Sequence, residues 1–178
     1  MVFPTLNAVG FCAHYSRQGD WAFDAALRVS REHHMRLNVF HFLADPYDPT
    51  DNYAEQLTRA ERAQLAIERE KELRLYYDER AGDYLDVGFR LCEHSEWVEL
   101  HRCLVVREFQ VLFLGYVGAA AKFGKRPIEE FAESFVCPVV LVGPSGPEEF
   151  LINSRAEMIA DRLGLPEGSW SMIRHIAV

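Results

Sequence analysis

The chain has no surplus of positive charge. Nineteen lysines and arginines stand against 27 aspartates and glutamates, giving a formal net charge of −8 over 178 residues. General nucleic-acid binding needs a basic footprint, so this balance disfavours it and leaves room only for a local basic patch around a small phosphate. No apolar run reaches the length of a membrane span. The opening MVFPTLNAVGF lacks the positively charged start of a signal peptide, so the expected location is the cytoplasm. The four cysteines, Cys12, Cys92, Cys103 and Cys137, form no Cys-x-x-Cys pair, and such wide spacing reads as reduced, mostly buried thiols. There is no P-loop, no serine elbow and no His-Glu-x-x-His.

What the chain does have is apolar residues in alternating patterns. Hydrophobic residues make up 49% of it, ample for one domain of ordinary size with some extension. Leu6 to Cys12 is a short apolar strand, and Asp20 is a candidate cap for a helix from Trp21 to about His34. Leu37 to Leu43 is a second strand. The Asp- and Pro-rich residues 44–51 form turns, and Asn52 to about Arg80 reads as one long charged helix broken by Gly82 and Asp83. Val87 to Cys92 is a third strand, and Ser95 caps a helix running to Glu108. Gln110 to Leu114, a helix from Ile128 to Phe135, and Val139 to Val142 complete the series. This β-α order implies a parallel, doubly wound sheet with helices on both faces. Its ligand crevice is expected at the carboxyl ends of the strands, near the switch point.

Residues 144–178 fall outside this count and read as a C-terminal extension to a domain covering 1–143. Ser154-x-x-Glu157 is a capping box, with Gly164 and Pro166 as the stop, so a short helix is expected over 155–163. Trp170, Met172, Ile176 and Val178 alternate, which suggests an edge strand over 169–178, added to its own sheet or to a partner's.

Residues 110–142 carry the strongest functional signal. The apolar run Val111 to Leu114 ends at Gly115; Gly118, Gly124, Lys125 and Arg126 follow, and Pro127 opens a helical segment. Strand, glycine-bearing loop and helix start make a candidate anion site.

The chain resembles the universal stress protein family over residues 5–142. The resemblance lies in AVGFC with the following WAFDAALRVSREHHMRLNVFHFL, in QVLFLGYVG, and in EEFAESFVCPVVLV. It implies a five-stranded doubly wound sheet of strand order 3-2-1-4-5, a homodimer joined through the last strand and here the C-terminal extension, and a stress-response or regulatory role. Members of the family that bind ATP carry Gly-x2-Gly-x9-Gly-Ser/Thr after the fourth strand. Gly115-x2-Gly118 matches the first half. Ile128 stands where the third glycine belongs, and Lys125 follows the nearest glycine, Gly124. The Asp that such members place at the end of the first strand is missing, with Phe11, Cys12, Ala13, His14 and Tyr15 in its place. The resemblance thus points to a non-enzymatic protein that acts through protein contacts, with an unidentified protein partner and no cofactor. The alternative is an ATP- or AMP-binding sensor, or a weak ATPase, with Gly115, Gly118, Gly124, Lys125 and Arg126 lining the phosphates. The Ser-Gly-Gly-x-Asp-Ser and His-Ile-Gly-His motifs of related nucleotide enzymes do not occur.

Other constellations are weaker. His33 and His34 are adjacent and point about 100° apart on a helix, and His94 and His101 lack a Cys or carboxylate set to complete a metal site. Cys12 and His14 are two residues apart at the expected crevice, but a strand-end core thiol and a polar loop histidine account for them.

Overall fold

The computed structural model describes residues 5–173. The elements, in chain order, are β1 (Ala8–Cys12), α1 (Arg17–His33), β2 (Arg36–Phe42), a single 3-10 turn (Ala54–Gln56), α2 (Arg59–Ala81), β3 (Val87–Cys92) and α3 (Glu96–Val105). After them come β4 (Val111–Gly115), the two-residue strands β5 (Lys122–Phe123) and β6 (Arg126–Pro127), α4 (Ile128–Ser134), β7 (Val139–Val142), β8 (Phe150–Ile152), α5 (Ser154–Glu157) and β9 (Trp170–Met172).

The central sheet runs β3-β2-β1-β4-β7-β8-β9. Its first five strands are parallel and follow the expected order, with β7 as the fifth. The strands β1, β4 and β7 are buried along their whole length, which is why they read as unbroken apolar runs. Helices α1 and α2 cover one face, where Phe11, Phe23, Val29, Leu73, Tyr77 and Phe113 pack together. Helices α3 and α4 cover the other, around Phe40, Leu100, Phe109, Leu112, Phe131 and Phe135.

Local chemistry sets several boundaries differently from the sequence pattern. Ser16, not Asp20, caps α1: its Oγ accepts the Gly19 N–H (2.9 Å), while Asp20 accepts the Tyr76 hydroxyl (2.6 Å). The charged helix expected from Asn52 starts only at Arg59, because Thr58 and Glu61 form a capping box. Helix α3 stops at Val105, short of Glu108, and Arg107 turns into positive φ (65°).

The extension joins the sheet in cis. Strand β8 pairs antiparallel with β7, and β9 pairs parallel with β8, so among the described residues the sheet has seven strands where the sequence suggests five and an edge strand over 169–178. The helix expected over 155–163 is a single turn, Ser154–Glu157, continued by turns to Gly164. Its cap is Asn153, one residue before the capping-box serine. Of the strand expected over 169–178, Trp170–Met172 is formed, and residues 174–178 lie outside the described residues.

Asn153 fixes this arrangement. It is fully buried. Its Oδ1 accepts the N–H groups of Val139 (3.0 Å) and Ala156 (2.9 Å), and its Nδ2 donates to the carbonyls of Ala132 and Cys137 (both 2.9 Å). One side chain thus ties β7, the end of α4 and the start of α5 together.

Candidate functional site

In an open parallel sheet, ligands bind beyond the carboxyl ends of the strands where the strand order reverses. Here that point lies between β1 and β4. The segments that bound it are residues 13–16 after β1, 116–121 after β4, and the loop 43–53 reaching over from β2.

The space over the end of β4 is filled. Tyr47, from the loop after β2, stacks on His14 with ring centroids 4.0 Å apart and meets the edge of Phe123 at 5.2 Å. Its hydroxyl donates to the Gly115 carbonyl (3.1 Å). Aspartates shape the loop that delivers it: Asp45 Oδ1 accepts the Tyr47 N–H and Asp51 Oδ1 the Tyr53 N–H in Asx turns, while Asp51 Oδ2 reaches back to accept the Asp45 N–H. Sequence reading assigns residues 44–51 to turns. The recurring Asp there is the trace of these turns, but it gives no sign of where Tyr47 points.

The glycine-bearing loop forms a hairpin. Strands β5 and β6 pair antiparallel across the two-residue turn Gly124-Lys125. Gly124 has φ +68° and Lys125 does not have positive φ, the pattern of a type II′ turn. The turn is anchored to its neighbour, since Gly124 donates its N–H to the Pro46 carbonyl (2.7 Å). Lys125 is exposed. The Arg126 guanidinium lies 3.9 Å from the centre of the Trp97 ring, a cation–π contact outside the crevice. Gly115 sits against the first turn of α1, where a Cβ would come within 2.7 Å of the Gly19 nitrogen. Gly118 is half-buried in the loop that follows. The structure therefore places Gly124 and Lys125 in one turn with Arg126 beside them on β6, Gly115 at the end of β4 under Tyr47, and Gly118 in the loop that follows.

An open crevice of about 400 Å³ lies one strand further over, between the ends of β1 and β2 and the exposed half of α2. Its lining includes His14, Tyr15, His41, Asp45, Asp51, Arg69 and Glu72. Of these, sequence reading singles out only His14. Asp45 and Asp51 sit on the turn-rich loop, Arg69 and Glu72 on a helix whose charged residues read as a solvated face, Tyr15 next to His14 after β1, and His41 within β2. Burial lowers the pKa of His14 despite the nearby Asp45 carboxylate. Burial and the Arg69 charge bring that of His41 down to about 4. His14 Nδ1 is 2.7 Å from the Ser16 hydroxyl, while His41 Nδ1 is buried without a partner.

Cys12 is buried, and desolvation raises its pKa well above the ordinary thiol value, so it is a core residue at the strand end. The other three cysteines are buried and free as well. Among the described residues, no group of three or more His, Cys, Asp or Glu is placed to hold a metal ion, and no helix is long and apolar enough to cross a membrane.

No protein-family model matches the sequence, and no curated protein matches it. Solved structures do match in fold. A universal stress protein family member from Burkholderia pseudomallei aligns at TM-score 0.51 and 18% identity, over 76% of this chain and 95% of its own. A universal stress protein solved in complex with cAMP aligns at TM-score 0.54 and 17% identity, over 80% of this chain and all of its own. One from Archaeoglobus fulgidus aligns at TM-score 0.51 and 12% identity, over 78% and 98%. In its sheet order, its helical layers and these likenesses, the chain has the fold of the universal stress proteins.

Proposed function

We propose that this chain is a universal-stress-type regulatory protein of the cytoplasm that works by binding and contact rather than by catalysis. The observation that carries the reading is the filled switch point. Tyr47 occupies the space over Gly115, and the loop turn spends the Gly124 N–H on Pro46. Phosphoryl chemistry needs a metal-holding carboxylate or a base beside the phosphates; over the end of β4 the stacked rings of Tyr47 and His14 take that space.

The second reading, an adenine-nucleotide sensor, is supported by the cAMP complex among the similar folds. In it Gly115, Gly118, Gly124, Lys125 and Arg126 reach the phosphates after Tyr47 leaves Gly115 and Arg126 leaves Trp97. Thermal denaturation with ATP, ADP, AMP and cAMP separates the two. A ligand at 100 times its Kd adds about 2.7 kcal/mol of stability. We expect no shift at millimolar nucleotide. A clear rise in Tm would replace the first reading with the second.

Self-association through the extension also belongs to this proposal. The outer edge of β7 is taken by β8 of the same chain. Among the described residues, the route left along this side of the sheet is the outer edge of β9, which pairs with β8 on its inner side.

A further inference from the structure

The sheet closes one of its two edges and leaves the other open. Strands β8 and β9 of the same chain extend it beyond β7, while among the described residues no strand pairs with the outer side of β3. The carbonyls of Asp86 and Cys92 accept the N–H groups of Leu37 and Leu43, on the β2 side. Backbone groups alternate in direction along a strand, so those of Val87, Phe89 and Leu91 point outward. Sheets ordinarily guard such an edge with proline, lysine or a bulge. Residues 85–92 read LDVGFRLC and hold neither residue, and the pairing of β3 with β2 runs without a bulge. Leu85, the next outward position, is 91% exposed. Between α2 and this edge lies a groove of about 540 Å³ whose apolar lining is Ala63, Ala66, Ile67, Phe89 and Leu91. The opposite face carries charge: Asp86 pairs with Arg36 (3.1 Å) and Arg90 with Glu108. Gly88 lies between Asp86 and Arg90 on that face, with no side chain.

We propose that a second copy of this chain pairs with β3, antiparallel about a twofold axis at Gly88. In this register Val87 stands opposite Phe89 of the second copy, and Leu85 opposite its Leu91. These are the residues whose backbone groups point outward, so they exchange the hydrogen bonds of the ladder. Their side chains form one apolar row on the α2 face, and the exposed Leu85 enters the groove beside Leu91 of the second copy. On the other face Asp86 stands opposite Arg90 of the second copy, and the axis repeats the pair. With Arg36 and Glu108 this makes a row of alternating charge. Gly88 meets Gly88 at the axis, where no Cβ crowds the close approach. Sliding one strand by two residues in either direction keeps the apolar row but moves Arg90 off Asp86, so charge selects the register. This pairing rests on the reading of the chain as a protein that works by contact, and it uses the edge opposite β9.

Sedimentation velocity of the full chain, from low to high micromolar concentration, tests it. We expect a dimer that grows with concentration. Leu85→Asp should weaken it about tenfold or more, since a leucine leaves the groove on each side. Leu85 is exposed, so the monomer should keep its fold, and urea denaturation checks this. Asp86→Arg and Arg90→Asp should each weaken the dimer about tenfold, because each sets like charges opposite one another at both ends of the pair. An equimolar mixture of these two variants should recover it, because in a mixed dimer opposite charges face each other again at both ends. Damage to the monomer alone gives no such recovery. Variants that stay apart when mixed overturn the pairing, and so does a dimer unmoved by Leu85→Asp. A dimer lost only on ending the chain at residue 168 overturns it too, and leaves association through the extension standing. A monomer at every concentration overturns both. Species larger than a dimer that Leu85→Asp cuts down to dimers mean that both edges pair, and support it.

Discussion

Replacing Asn153 by alanine should detach the C-terminal extension. The side chain is fully buried and makes four hydrogen bonds to backbone groups, two as acceptor and two as donor. Alanine leaves the N–H groups of Val139 and Ala156 and the carbonyls of Ala132 and Cys137 without these partners. A buried polar group left unsatisfied costs about 1–3 kcal/mol. Partial relaxation and entering water relieve some of that, so the expected loss is about 4 kcal/mol. For a chain of this length a loss of that size lowers Tm by roughly 10 °C. Urea denaturation measures the loss, and limited proteolysis shows where it falls: cleavage should appear first in the linker 143–149. Asn153→Asp keeps the two accepting bonds but turns an acceptor toward two carbonyls. It should be as damaging at neutral pH and partly recover in acid as the carboxyl protonates. A loss under 1 kcal/mol for Asn153→Ala, with unchanged proteolysis, would refute the view that this residue holds the extension in place.

His41 makes the fold acid-sensitive. Its pKa falls from the ordinary 6.5 to about 4 on folding, so between those values the unfolded chain takes up a proton that the folded one refuses. Stability from this group is complete above pH 6.5 and declines by about 1.4 kcal/mol per pH unit down to pH 4, roughly 3 kcal/mol in all. His41→Gln should flatten that slope in denaturation series across the window, and an unchanged slope contradicts the assignment. Gly115→Ala places a Cβ within 2.7 Å of the Gly19 backbone nitrogen. It should cost about 2 kcal/mol in urea denaturation by forcing β4 and α1 apart, and a neutral result would mean that this approach is looser than described. Ending the chain at residue 168 removes β9. If two protomers meet along its edge, light scattering should show the dimer lost, and an unchanged mass counts against that edge.

The centre of the sheet was readable in advance because β1, β4 and β7 are buried on both faces and so appear as plain apolar runs, as at Val111–Leu114 and Val139–Val142. Strand β8 was not readable. Three residues, Phe150–Ile152, follow a Gly- and Pro-rich turn, and only the free edge of β7 makes them a strand. The same holds for the hairpin at Lys122–Pro127, whose strands are two residues each. Around the candidate site, the glycines were visible and their surroundings were not. Spacing along the chain shows that Lys125 and Arg126 follow Gly124, but not that Trp97, 29 residues upstream of Arg126, draws the guanidinium away. Nor does it show that a tyrosine from the β2 loop ends over Gly115. These contacts join segments far apart in sequence, and local pattern carries no record of them.

The pairing of β8 with β7 also sets how the fold responds to dilution. A strand supplied by a second protomer is present only at the concentration of the protein, and it leaves when the protein is dilute. A strand tethered by the short turn after Val142 is present at an effective concentration of the order of millimolar whatever the abundance of the chain. Completing the β7 edge is then a unimolecular event, and its share of the stability does not vary with the amount of protein in the tube. A protein made in few copies keeps this edge closed.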